Sequence, residues 1–206
     1  MPGQRAAEAV RREQIIKAAY VVASRKGLAR LTVRQVAAKA RLSAGLVLFH
    51  FHTKDDLILA LLEWLLATTT VLLISPEIEQ IGPPLDRLLA LLRQEIERLA
   101  SEPRRIRLFF EFWILEGRDA KIGGRMRAEL ARYREAFRPV MQEVLLAEPD
   151  RFAHVTADDL TAVAVSFVKG CAVQSMIDPD HFDIGHYLAA AEALVDELAS
   201  RKAMTA

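Results

Sequence analysis

The chain is poor in residues that staple a fold, hold a metal or interrupt helices. A single cysteine, Cys171, among 206 residues excludes a disulfide framework and any zinc site built on several thiolates. Nine glycines and eight prolines are too few for a collagen-like or low-complexity chain. Strand-forming runs are scarce between the turn signals, while Ala, Leu, Arg and Glu dominate, which predicts an all-helical fold. No Gly-rich phosphate loop follows a strand pattern, and no nucleophile stands beside a base. His50 and His52 are two apart and fall on different helix faces. Asp178, Asp180, His181, Asp183 and His186 fit a polar turn with helix caps better than a metal site. The expectation is therefore a protein that is not an enzyme and carries no cofactor or metal. The first residues, MPGQRAAEAVRREQ, hold no apolar run of the kind that directs secretion, so the expected location is the cytoplasm.

Apolar residues reach 52% and charged residues 27%, enough to bury a core. The net charge of +1 conceals an asymmetry. Residues 1–56 hold eleven Lys/Arg against four Asp/Glu, a net +7, and the other 150 residues hold 17 against 23, a net −6. A basic head on an acidic body suits a protein whose head meets a polyanion.

Apolar spacing gives nine helices. Ile15, Ala18, Ala19, Val22 and Ala23 form the stripe of the first. Thr32 with Gln35 makes a capping box for a second helix ending near Ala40. Ser43 caps a third, from Ala44 to about His50, and Thr53 a fourth. Two short helices separated by so few residues must cross steeply, as in a helix-turn-helix. The run 57–74 carries one charge, Glu63. Its acidic flanks argue against a membrane span and for a helix packed inside a bundle, so no membrane partner is expected. Further helices are expected at about 84–100, 105–116, 125–147 (kinked at Pro139), 158–177 and 184–200. The helix at 158–177 is apolar enough to be buried on every side.

Residues 13–60 resemble the TetR family of bacterial transcriptional regulators. EQIIKAAYVVASRKG is similar to the family's first helix. LTVRQVAAKARLSAGLVLFHFHTKDDLILAL is similar to its helix-turn-helix and the start of its fourth helix. VKGCAVQSMIDPDHFD is similar to the end of the BetI-like subgroup's ligand domain. The resemblance implies a DNA-binding domain at 1–56, with its motif at about 34–53, and a ligand-binding and dimerisation domain at 57–206. It also implies a homodimer on a palindromic double-stranded DNA operator, released by a small, largely apolar effector.

In such a motif the second helix enters the major groove. Ser43, Ala44, Gly45, Leu46, Leu48, Phe49 and His50 lie there, with Val47 and Phe51 turned to the core. Apolar residues can meet thymine methyls, and Arg34 is the best candidate for a bidentate guanine contact, with Gln35 next. Thr32, Arg41, His50 and Lys54 are candidate phosphate contacts. Arg5, Arg11 and Arg12 could form a backbone-tracking arm or remain solvated. Three positions depart from the family pattern. Arg41 stands where Gly is usual, Leu48 where a phosphate-binding Tyr is usual, and His52 where Lys is frequent. Leu48 and the weakly polar recognition helix motivate an alternative: a dimeric small-molecule-binding or scaffolding protein with weak DNA binding.

Candidate ligand-binding residues are Trp64, Phe109, Phe110, Phe112, Trp113, Tyr133, Phe137, Phe167 and Gln174. Glu111, amid the aromatics, should face solvent or, if it faces a pocket, a cationic ligand. Lys169 replaces an acid frequent in the BetI-like subgroup. Candidate dimerisation residues are Leu160, Ala164, Phe167, Val168, Tyr187, Leu188, Ala191, Leu194 and Val195.

Overall fold

Helix starts follow the caps that the sequence announces. The computed structural model describes residues 2–69, 74–115, 117 and 119–203, with side-chain burial over 7–194 of these. The described residues form ten helices and no strand: α1 (Pro2–Lys26), α2 (Val33–Ala40), α3 (Ala44–Phe51), α4 (Lys54–Ala67), α5 (Pro76–Glu79), α6 (Pro84–Ser101), α7 (Pro103–Leu115), α8 (Ala120–Ala147), α9 (Ala157–Ile177) and α10 (Ile184–Ala203). Thr32, Ser43 and Thr53 each accept a bond from the backbone N–H three residues on, and the Thr32–Gln35 capping box is present.

The tenth helix is the short α5, where a loop was expected. Pro76 at its first position and the Ser75 hydroxyl accepting from Ile78 N start it, and Ile78 is buried. A second correction concerns α8, which begins before Gly123-Gly124 instead of after it. The Asp119 carboxylate accepts from Lys121 N and Ile122 N, and Ile122 and Met126 are buried one turn apart. A cap and an apolar anchor outweigh the glycines' poor propensity. α8 also continues through Pro139. A third correction is that α4 does not fill the 57–74 run: it ends at Ala67 with Thr68 as its C-cap, the Thr68 and Thr69 hydroxyls donating back to Trp64 O and Leu65 O, while positions 70–73 and 116 lie outside the described residues.

The chain divides into two compact units, residues 1–70 with 104–129 and residues 71–103 with 130–206. This cut by compactness differs from a boundary at residue 56. In the first unit, Ile15 and Ala19 of α1, Val36 of α2, Val47 and Phe51 of α3, Leu57, Leu61 and Leu65 of α4, and Leu108 and Phe112 of α7 share one core. The apolar start of the 57–74 run is therefore α4's core face. Arg105 of α7 grips the end of α4, donating to Leu65 O at 2.8 Å and to the Thr68 and Thr69 hydroxyls.

In the second unit α6 lies against α9. Glu95, fully buried, accepts from Arg98 through both carboxylate oxygens (2.6 and 2.8 Å) and from the Tyr133 hydroxyl at 2.6 Å. Lys169 Nζ sits 4.0 Å from the centre of the Tyr133 ring. Burial and the Glu95 charge push the Tyr133 hydroxyl far above the usual phenol range.

α9 is long and apolar enough to cross a membrane by composition, as buried helices of bundles also are. It is not buried on every side within one chain. Thr161, Ala164, Val165, Val168 and Cys171 face inward, while Val163 and Ile177 are exposed. Burial raises the pKa of the Cys171 thiol, as expected of an inert core cysteine.

Candidate nucleic-acid interface and apolar cavity

The turn between α2 and α3 is built from backbone geometry. Arg41 takes the left-handed conformation, φ 57° and ψ 45°. Its N–H donates to Ala38 O at 3.2 Å and the next, Leu42 N–H, to Ala37 O at 2.9 Å. That pair of bonds is a Schellman ending, for which Gly is the usual residue. Arginine stands there at a cost of about 1 kcal/mol, with its side chain exposed.

α1 holds both helices of the motif by their C-terminal carbonyls. Gln14 Nε2 donates to Ala40 O at 2.8 Å at the end of α2. Arg12 donates to His50 O near the end of α3, and its guanidinium lies 4.4 Å from the Phe51 ring centre. Arg12 is thus a cap within the head and not a free arm. Sequence reasoning missed both contacts, because a carbonyl acceptor has no side-chain signature. Arg11 is exposed and donates to Gln14 one turn on at 2.7 Å, and the Arg5 side chain lies outside those described.

With the two helices fixed, one surface of the motif remains open. Val47 and Phe51 are buried, as their spacing predicts. Thr32, Arg34, Arg41, Ser43, Gly45, Leu48 and Phe49 are exposed. Phe49 is 72% exposed and Leu48 40%, an apolar surface on a helix with few hydrogen-bonding side chains. Gln35, Ala44, Leu46, His50 and Lys54 are half-buried. Gln35 is spent in the capping box, and Ser43 Oγ accepts from Leu46 N at 3.1 Å. His50 Nδ1 is enclosed, without a hydrogen-bond partner among the described residues. Arg34 is the exposed cation on α2 nearest its start, beside the N-terminal turn capped by Thr32. Thr53 and Asp56 form a second capping box, which holds the Asp56 carboxyl below its ordinary range.

The candidate ligand residues do not converge. Phe112 is fully buried in the core of the first unit, and Trp64, Phe109 and Trp113 pack against that core. Trp64 packs at a tilt against Tyr20 with ring centres 5.4 Å apart, and Phe110 against Trp113 at 5.4 Å. Tyr133 and Phe137 are buried in the second unit, and Gln174 is exposed. Glu111 is half-buried and is spent on the backbone: its Oε2 accepts from Leu28 N at 2.6 Å.

The second unit holds a cavity of about 580 Å³ between α6, α8, α9, α10 and residues 151–155. Phe167 is the one candidate ligand residue on its wall. Leu160, Ala164, Phe167, Leu188, Ala191 and Leu194, considered for dimerisation, also line it. Ala164, Val168 and Leu188 are buried within one chain, which withdraws them from any surface a second copy could touch. Tyr187 is half-buried, its hydroxyl donating to Phe167 O at 3.0 Å, and the Val195 side chain lies outside those described. Beyond the cavity, Asp183 caps α10 by accepting from His186 N at 2.7 Å, and Asp178 pairs with His181 at 2.8 Å.

These features define an all-helical protein with a helix-turn-helix head. Residues 15–61 match the bacterial regulatory proteins of the tetR family, and residues 84–200 match the BetI-type transcriptional repressor C-terminal family. The chain belongs to the TetR family, with a BetI-type C-terminal region. It is 30% identical over 106 residues to the HTH-type transcriptional regulator BetI of Stenotrophomonas maltophilia (strain R551-3), a match spanning 52% of this chain and 54% of that protein. Its fold is similar to that of a transcriptional regulator from Rhodococcus sp. Rha1 (TM-score 0.70, 23% identity, 92% of this chain and 96% of that one). It is also similar to a regulator from Saccharomonospora viridis solved in complex with choline (TM-score 0.65, 16% identity, 90% and 95%). As a TetR-family protein it is a transcriptional regulator and not an enzyme.

Proposed function

We propose that this chain is a ligand-responsive repressor that binds a palindromic operator as a homodimer and leaves it when a small molecule occupies the second unit. The observation that carries the reading is the helix-turn-helix. It is locked by α1 at both carbonyl ends and leaves Arg34, Arg41, Ser43, Leu48 and Phe49 exposed in a head of net charge +7. Arg34 reads guanine, Ala44 and Leu46 meet thymine methyls, and Thr32, Arg41, His50 and Lys54 hold phosphates. Dimerisation uses the outward faces of α9 and α10, where Ile177 is 73% exposed, pairing as a four-helix bundle.

Footprinting on the DNA upstream of the chain's own coding sequence tests this reading. The expected result is a protected stretch with two-fold symmetry, its half-sites one helical turn or a multiple apart. Uniform protection would favour the second reading, a dimeric small-molecule-binding protein with weak DNA affinity. The observation behind that reading is Leu48, exposed and without a hydrogen bond to give.

A further inference from the structure

We propose that the cavity of the second unit takes a neutral, mainly aliphatic ligand, and discriminates against both quaternary ammonium ions and carboxylate anions. The inference rests on the effector reading above and names the ligand class of that site.

The walls argue first. A volume of about 580 Å³ suits a small molecule. Eighteen residues line the cavity and sixteen are apolar, most of them aliphatic. Leu88, Met141, Val144, Ala164 and Leu188 are nearly inaccessible to solvent. They make the floor of a depression within one chain, which suits a small molecule better than the flat helix face of a second copy.

The two charges argue next. Arg151 donates to Glu148 at 2.7 Å with its side chain 13% exposed. Glu192 accepts from Arg93 at 2.6 Å. Each charge at the wall is already balanced by a protein group outside it. An anionic ligand would have to draw Arg151 away from Glu148, and a cationic one Glu192 away from Arg93. Either would otherwise bury its charge against leucines, which is costly.

Recognition of a quaternary ammonium by ring faces is also unprovided for. Two lining residues are aromatic, Phe152 and Phe167. The Arg151 guanidinium sits 5.3 Å from the Phe152 ring centre, and Phe167 packs against Tyr187 at a 43° tilt with ring centres 5.1 Å apart. Each ring is already engaged, whereas a cation cage needs several open faces.

Calorimetric titration of the full chain with 1-decanol, decanoate and decyltrimethylammonium tests the proposal at equal chain length. The alcohol is expected to bind at least about ten-fold more tightly than either ion. Ala191→Trp, which fills the cavity from α10, is expected to weaken alcohol binding about ten-fold or more. Leu89→Gln, on the opposite wall, serves where the tryptophan variant fails to fold. Tighter binding of either ion overturns the proposal. So does alcohol binding that a folded variant leaves unchanged, or no alcohol binding by the folded parent. Light scattering on the variants adds one outcome: a lost dimer with unaltered alcohol binding makes the cavity an interface and also overturns it. Release from operator DNA is read separately. Alcohol binding without release contradicts the effector reading and leaves the ligand class standing.

Discussion

Glu111 Oε2 accepts a 2.6 Å hydrogen bond from the backbone N–H of Leu28, a residue 83 positions earlier. The bond ties α7 to the connection between α1 and α2. Gly27, just before it, has φ +81°, and a Cβ there would stand 3.2 Å from the same carboxylate oxygen. The positive φ favours glycine at position 27, and a Cβ there would also press on the carboxylate by a few tenths of an ångström. Glu111→Ala leaves the Leu28 N–H unpaired, which costs about 1–3 kcal/mol. Glu111→Gln keeps an acceptor and costs less. Urea unfolding of the three proteins checks the order, and equal stabilities would remove the bond from the account.

Arg41 combines left-handed backbone strain with an exposed charge at the α2–α3 turn, which under the proposed function faces the operator. Arg41→Gly relieves the left-handed strain and is expected to stabilise by about 1 kcal/mol. The same change is expected to lower the salt slope of DNA binding by about one phosphate contact. Thermal unfolding and binding at several salt concentrations check the two halves independently.

The Glu95 cluster is expected to respond unequally to truncation. Glu95→Ala strands Arg98 and the Tyr133 hydroxyl and is expected to cost about 3–5 kcal/mol. Tyr133→Phe removes one bond and leaves the Glu95–Arg98 pair, costing about 1–3 kcal/mol. Denaturant unfolding of both variants decides it; a Tyr133→Phe cost equal to that of Glu95→Ala would contradict the arrangement.

Three helix-capping carboxylates set an acid limit. The Thr53 hydroxyl bond lowers the Asp56 pKa, the Thr156 hydroxyl bond that of Asp159, and the His186 backbone N–H that of Asp183, each from an ordinary value of 3.8. A depressed folded pKa gives stability that is complete above 3.8 and is lost as pH falls through the lower folded value. Asp56→Asn with Asp159→Asn is expected to flatten the acid side of the stability curve. Unfolding midpoints from about neutral pH to about pH 2 measure it.

The head was legible because its signals are local. Thr32, Ser43 and Thr53 sit where caps must be, Val47 and Phe51 follow the core spacing, and Arg41 occupies a position whose geometry the short α2–α3 connection dictates. The cavity was not legible. Aromatic residues attract attention as ligand walls, yet Phe112 and Trp64 serve the core that α1, α4 and α7 share, and the cavity is walled by ordinary leucines of α6. Apolar spacing identifies a helix's inward face without saying whether a neighbour fills the space beyond it. Glu111 was misread for the same reason, since its acceptor role depends on a backbone N–H far away in sequence.

Sequence-specific DNA binding by the helix-turn-helix is the central claim. Fluorescence anisotropy with the chain's own upstream region and an unrelated duplex of equal length, at two salt concentrations, tests it most directly. The account predicts a preference of about three decades or more for the upstream region. It also predicts that Arg34→Ala weakens that complex by about 1–3 kcal/mol while barely changing the other. Equal affinity for both duplexes, fading together as salt rises, would leave only phosphate binding and contradict the claim.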